Sequence, residues 1–233
     1  MLYIIPTPIG NLQDITLRAL EVLKTADAIL CEDTRRTQIL LSHFGISKPT
    51  YRYNENDERS VNRCLELLRN RHNCALVSDC GTPCISDPGW KLVRAAVKEG
   101  MKVSSLPGPS AVACALAGAG ITGGAFTFLG FLPRKPGKAS KLIAQAYSLN
   151  VPVVLYESPY RVVKMLTLIG DTLGEQTPVV VARELSKVYE EWVRGTAKDV
   201  AELFAKKVKV QGEFVIIIDR PSDEREENND ADF

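Results

Sequence analysis

The segment Val77-Ser78-Asp79-Cys80-Gly81-Thr82-Pro83-Cys84-Ile85-Ser86-Asp87-Pro88-Gly89 decides the fold. An apolar run, Ala75-Leu76-Val77, stops at a carboxylate and passes into glycine and proline. A second carboxylate, Asp87, precedes Pro88 and a helical pattern that Gly100 closes. Asp87 is expected to cap that helix, with Pro88 in its first turn and Gly100 just past its end. Strand, tight loop and helix in that order predict a site at the carboxyl end of a parallel strand, where α/β proteins hold small molecules.

The same alternation extends to both sides. Strand-like runs occur at Tyr3-Ile5, Ala28-Cys31 and Val103-Leu106, separated by helical spacings such as Leu17, Leu20, Leu23 and Val61, Leu65, Leu68. A mostly parallel sheet follows for the first half. The glycine-rich stretch 117–124 reads as a linker. Beyond it, strands are expected near Phe126-Phe131, Val153-Tyr156, Val179-Ala182, Glu191-Val193 and Phe214-Ile218, with helices near Lys138-Tyr147 and after Thr196-Ala197-Lys198-Asp199. The expected organisation is two α/β domains, 1–117 and 118–221, and an acidic, disordered tail over 222–233.

Bulk properties narrow the function classes. The chain has 233 residues, 45% hydrophobic and 24% charged, and a net charge of +1, which is ordinary for a globular protein. No run approaches the roughly 18 apolar residues of a membrane span. The first residues lack a basic signal-type region, so a cytoplasmic protein is expected. The six cysteines form no C-x-x-C pair, and only His43 and His72 are available as histidine partners, so no metal centre is expected. Charge is unevenly spread. The tail holds six acids against Arg225, which leaves the body basic, and 100–156 contains no acid at all. That acid-free span includes Arg134, Lys135, Lys138 and Lys141, close behind Phe126, Phe128 and Phe131. It is a candidate surface for nucleic acid, with a plain solvated loop as the rival reading.

Three turns carry candidate chemistry. Pro6-Thr7-Pro8-Ile9-Gly10-Asn11-Leu12 follows the first strand, Ser78 to Gly89 a second, and Leu106-Pro107-Gly108-Pro109-Ser110-Ala111 a third. In a parallel sheet all three gather at one edge. Neither G-x-G-x-x-G nor a Walker lysine is present. Cys31-Glu32-Asp33-Thr34-Arg35-Arg36 ends another strand with two acids and two arginines. Glu157-Ser158-Pro159-Tyr160-Arg161 and Arg183-Glu184-Leu185-Ser186-Lys187 occupy comparable places in the second half. Each of these polar groups is either a cap with a surface ion pair or a wall of a cleft.

Taken in order, these motifs, together with Asp14-Ile15-Thr16-Leu17-Arg18-Ala19 and Gly130-Phe131-Leu132-Pro133, resemble the ribosomal RNA small subunit methyltransferase I group. That group lies within the tetrapyrrole-methylase class of S-adenosylmethionine enzymes, and the resemblance spans about residues 2–220. It implies a two-domain class III methyltransferase fold with S-adenosylmethionine in the interdomain cleft, and a homodimer. It also implies 2′-O-methylation of a cytidine ribose in the decoding region of 16S ribosomal RNA; the partner is that RNA, expected within the 30S subunit, with free rRNA as the alternative substrate. Carried over by position, Pro8 and Ile9 lie in the first cofactor loop, Asp79, Gly81 and Thr82 in the second, and Ser110 and Ala111 in the third. The wider class has G-x-G-P-G where Pro6-Thr7-Pro8-Ile9-Gly10 stands here. Tyr160 and Ser186 replace the histidine and threonine common in the RNA branch, so an obligatory histidine base at 160 is disfavoured.

Transfer from a sulfonium mainly requires alignment of the 2′-oxygen, helped by a base within reach of its proton. Glu32, Glu184 and Lys187 are the candidates, and Lys187 would need a depressed pKa. Arg35, Arg36 and Arg161 are candidate RNA-backbone ligands beside Arg134, Lys135, Lys138 and Lys141. The alternatives are a tetrapyrrole methyltransferase of the same fold and a non-catalytic RNA-binding module.

Overall fold

In the computed structural model, which describes residues 1–70, 72–121 and 124–220, the run ahead of Ser78 is a strand with all four residues buried. This strand, β4 (Cys74–Val77), is the centre of a five-stranded sheet. The others are β1 (Leu2–Ile5), β2 (Ala28–Cys31), β3 (Thr50–Arg52) and β5 (Val103–Ser105), in the order β3-β2-β4-β1-β5 and all parallel. Burial on both faces explains the unbroken apolar runs. The helices between them are α1 (Leu17–Thr25), α2 (Thr34–His43), α3 (Glu58–Arg69) and α4 (Trp90–Lys98). Ile5, Ile29, Cys31, Ala75 and Val77 pack against α1 and α2 through Ala19, Leu23, Leu40 and Leu41. The alternate strand residues Leu2, Ile4, Ala28, Leu30, Cys74 and Leu76 pack against α3 and α4. Since β1 feeds a helix on one face and its neighbour β4 a helix on the other, a crevice opens at their carboxyl ends.

The chain divides into two compact units, Met1–Ala111 and Val112–Phe233. The division falls at the start of α5 (Ala111–Ala119), ahead of the glycine-rich stretch expected to mark it. The second unit has its own sheet of β6 (Thr127–Phe131), β7 (Val153–Glu157), β8 (Pro178–Arg183), β9 (Glu191–Thr196) and β10 (Phe214–Ile218), in the order β6-β7-β10-β8-β9. Only β6 and β7 run parallel, so this sheet is mixed. A bulge between Phe128 and Gly130, with Gly130 at φ +61°, shifts the register of β6. The helices α6 (Pro136–Tyr147), α7 (Val162–Leu173) and α8 (Ala197–Ala205) share one apolar core with the sheet.

Local signals are met at most helix ends. Gly100, at φ +70°, donates its N–H to Val97 while Met101 donates to Ala96, the paired bonds of a Schellman end. Thr196 caps α8 by accepting from the Asp199 N–H. The Asp199 carboxylate accepts from the Thr196 hydroxyl, so the box closes side chain to side chain. Asp87 is a correction: it does not cap α4. Gly89 holds the cap position at φ +141°, and its N–H donates to the Glu55 carboxylate. A second correction is β3, a three-residue edge strand that the sequence reading passes over. The acidic tail lies outside the described residues.

Candidate active site

The three strand-end turns of the first unit are bonded to one another. Thr7 and Gly81 exchange both backbone hydrogen bonds, at 2.8 and 3.0 Å, which joins the turn after β1 to the turn after β4. The buried Thr7 hydroxyl donates to the Ser78 carbonyl, and the buried Ser78 hydroxyl donates to the Gly81 carbonyl. Thr82 donates to the Pro109 carbonyl at 3.0 Å, which adds the turn after β5. Gly81 sits at φ +79°, a left-handed conformation in which any other residue would be strained. A Cβ on Gly108 would lie 2.8 Å from Pro6 Cβ. The glycines therefore let three turns close into one surface. Pro8, Ile9, Asp79, Gly81, Thr82, Ser110 and Ala111, taken from separate turns in the sequence, belong to this edge.

A polar cluster adjoins it. Asp33 caps α2 through the Arg35 N–H, while the Arg35 guanidinium holds the same carboxylate and draws its pKa down to about 2. The Asp33 N–H donates to Asp79, and Arg36 pairs with the other Asp79 oxygen at 3.4 Å. Arg36, expected on RNA, is thus turned to the turn after β4. With Thr7, Pro8, Ser78 and Asp79 it lines a cavity of about 120 Å³. Glu32, at the end of β2, has its carboxyl pKa raised by loss of hydration and then by the charge of Asp79, against the pull of Arg36 and Arg52.

Glu184 and Lys187 lie together in the second unit, in the connection from β8 to β9. Lys187 Nζ donates to Glu184 and to Glu213, both at 2.9 Å, and the Glu213 N–H donates to Glu184. Burial lowers the Lys187 pKa, but the two carboxylate partners outweigh it and the net direction is upward. This is the opposite of what a lysine base needs, so Lys187 is corrected to a cation that positions Glu184. Burial likewise raises Glu184, yet Lys187 and the Glu213 amide overcome it and keep the carboxylate ionised. Glu184 stands at φ +53°, and a Cβ on Gly212 would lie 2.6 Å from its side chain. Gly212, without a side chain, leaves the room that the Glu184 side chain occupies. Gly212 and Glu213 were missed by the sequence reading; their one signal is a Gly-Glu pair directly before an apolar strand.

The basic segment is exposed at Arg134, Lys135, Lys138 and Lys141, but it is only partly a loop: Lys135 holds the cap position of α6, and Lys138 and Lys141 lie on that helix. Arg161 plays a different part from the RNA ligand expected of it. Its guanidinium donates twice to the Leu132 carbonyl and again to Pro133, and it pairs at 3.3 Å with Glu157, whose side chain is 1% exposed. Glu157 Oε1 accepts from the Ser158 N–H; Oε2 has the charge contact with Arg161 without hydrogen-bond geometry. Tyr160 is 89% exposed. Within the second turn, the Cys84 thiol is pushed up to about 11 by burial and is uncharged at neutral pH.

The first unit carries a parallel sheet with three joined turns at its carboxyl edge and the second a mixed sheet with helices, and the match of most of the chain to a methylase family makes it a two-domain methylase-type enzyme. The model of the Tetrapyrrole (Corrin/Porphyrin) Methylases matches residues 1–201. The fold matches a cobalt precorrin-4 methyltransferase of cobalamin biosynthesis at TM-score 0.68 and 21% identity, covering 93% of each chain. It also matches uroporphyrin-III C-methyltransferase from Thermus thermophilus, solved with S-adenosyl homocysteine, at TM-score 0.65 and 18% identity over 93% of this chain and 96% of that one. Sequence similarity is greater elsewhere. The chain is 44% identical to ribosomal RNA small subunit methyltransferase I of Hydrogenobaculum sp. strain Y04AAS1, over 94% of this chain and 95% of the relative. Its identity to the protein of the same name from Thermotoga maritima is 42%, over 93% and 97%. The chain belongs to the ribosomal RNA small subunit methyltransferase I group of the tetrapyrrole methylases.

Proposed function

We propose that the protein transfers a methyl group from S-adenosylmethionine to the 2′-oxygen of a cytidine ribose in the decoding region of 16S ribosomal RNA. The observation that carries this reading is near full-length similarity to proteins named for small-subunit rRNA methylation, on a chain whose β4-β1-β5 edge suits a small polar ligand. In this reading the protein works in the cytoplasm as a homodimer, with the 30S subunit as its substrate.

The donor set of the first unit fits S-adenosylmethionine. Asp79 offers a carboxylate to ribose hydroxyls or an ammonium, and the left-handed Gly81 lets backbone come close to a ligand. Pro8, Ile9, Thr82, Ser110 and Ala111 supply the flanking surfaces. The bound cofactor supplies a methyl group already activated on a sulfonium. The remaining work is alignment of the acceptor and removal of its proton. Glu32, the more basic of the two candidate carboxylates, is the proton acceptor in this account, and a positioned base contributes roughly 10²–10⁴-fold. Glu184, held ionised by Lys187 and the Glu213 amide, is the alternative acceptor. The exposed Arg134, Lys135, Lys138 and Lys141 meet phosphates, while Arg35 and Arg36 serve chiefly their own carboxylates.

Incubation with methyl-labelled S-adenosylmethionine and 30S subunits, free 16S rRNA or a porphyrinoid tests the substrate. Label is expected in the RNA of the 30S subunit. Label in the porphyrinoid alone would replace this reading with that of a tetrapyrrole methylase.

A further inference from the structure

The first turns of α6 and α7 carry basic residues where helix dipoles favour acids. No acid lies in either first turn, and neither helix has a side-chain cap. Lys135 and Lys138 lie at the start of α6, and Arg161 and Lys164 at the start of α7. Between the two helices runs a groove of about 360 Å³. Its cations are Arg134, Arg161 and Lys164, Asp171 is its single acid, and Pro133, Pro136 and Leu168 are among its apolar lining. Arg161 is already engaged by Glu157 and by the carbonyls of Leu132 and Pro133. Among the described residues, Arg134 and Lys164 have neither an ion pair nor a side-chain hydrogen bond.

Unpaired cations over an apolar floor match a phosphodiester with its sugar better than they match a neutral ligand or a folded acidic protein. The wall is also built to keep its shape. A carboxylate with 1% of its side chain exposed fixes Arg161, and Arg161 fixes the backbone from which Arg134 projects. We propose that the groove between α6 and α7 is a subsite for the RNA backbone, with Lys164 and Arg134 as its phosphate ligands and the Glu157–Arg161 pair as the strut that holds it. The inference rests on the RNA reading of the function and adds to it a surface and a residue, Lys164, that the sequence did not single out.

The test compares the full chain with Lys164→Glu, Lys164→Arg and a control reversal on the other unit, Lys98→Glu. Methyl transfer to 30S subunits is followed across subunit concentration and salt, with S-adenosylmethionine binding measured separately. Lys164→Glu is expected to raise the half-saturating subunit concentration by roughly tenfold, to lower the log–log salt slope by about 1, and to leave turnover at saturation and cofactor affinity unchanged. Lys164→Arg should restore the affinity, and Lys98→Glu should leave it as it was. An unchanged half-saturation and salt slope in Lys164→Glu, with the unaltered protein active on 30S subunits, overturns the subsite alone. An equal loss in Lys98→Glu also overturns it, because general charge would then explain the effect. Failure of the unaltered protein to methylate RNA overturns the subsite and the proposed function together.

Discussion

Glu32 ends a fully buried strand and emerges beside Asp79, so its chemistry is set by residues far away in sequence. Its raised pKa favours the protonated form at a given pH, and a base must be deprotonated to act. Activity should therefore fall on the acid side through a value above the ordinary 4.5. Arg52 pulls that value down, so Arg52→Met is expected to move the acid limb of kcat/KM to higher pH. Glu32→Gln should abolish that limb and cost roughly 10²–10⁴-fold in kcat. A limb that stays in place in Arg52→Met would remove Glu32 as the base. The sequence showed that Glu32 ends a strand, but not that Asp79 stands next to it, because that depends on β2 lying beside β4. The roles of Lys187 and Arg161 were hidden for the same reason. Each is a cation whose partners come partly from another stretch of chain: Glu213 for Lys187, and the Leu132 and Pro133 carbonyls for Arg161.

At the scale of elements, the loop that identifies the fold ends in a conformation its sequence disguises. Asp87-Pro88 has the chemistry of a helix start, but Cys84 and Ser86 adopt left-handed backbone and deliver Gly89 to the cap position. A Cβ at Gly89 would meet Cys84 Sγ at 2.7 Å and Leu76 at 3.0 Å. Gly89→Ala is thus expected to cost about 2–4 kcal/mol in urea unfolding, from strain and clash together. Thr196→Ala, which removes one cap from α8, should cost about 1 kcal/mol. Equal costs would mean that the 84–89 loop relaxes freely. Long apolar runs such as Phe214–Ile218 were legible because burial on both faces leaves no ambiguity. Thr50–Arg52 was not, since a short edge strand with polar residues carries no periodic signal.

For the whole molecule, the alternation of strands and helices was enough to indicate two α/β units, each with its own core. Strand direction in the second sheet was beyond it: β10 runs antiparallel to both neighbours, and no residue pattern in an apolar strand encodes that. The three joined turns were anticipated from their positions after parallel strands, whereas the bonds Thr7–Gly81 and Thr82–Pro109 that unite them required the fold. On this frame the proposed methyl transfer goes to a ribose oxygen of small-subunit RNA. The most direct measurement is alkaline hydrolysis of 16S rRNA after labelling within 30S subunits. A 2′-O-methyl group blocks attack on the adjacent phosphodiester. The account predicts that the label will be recovered in an alkali-resistant dinucleotide whose methylated residue is cytidine. Label released in a mononucleotide, carried on the base, would contradict it.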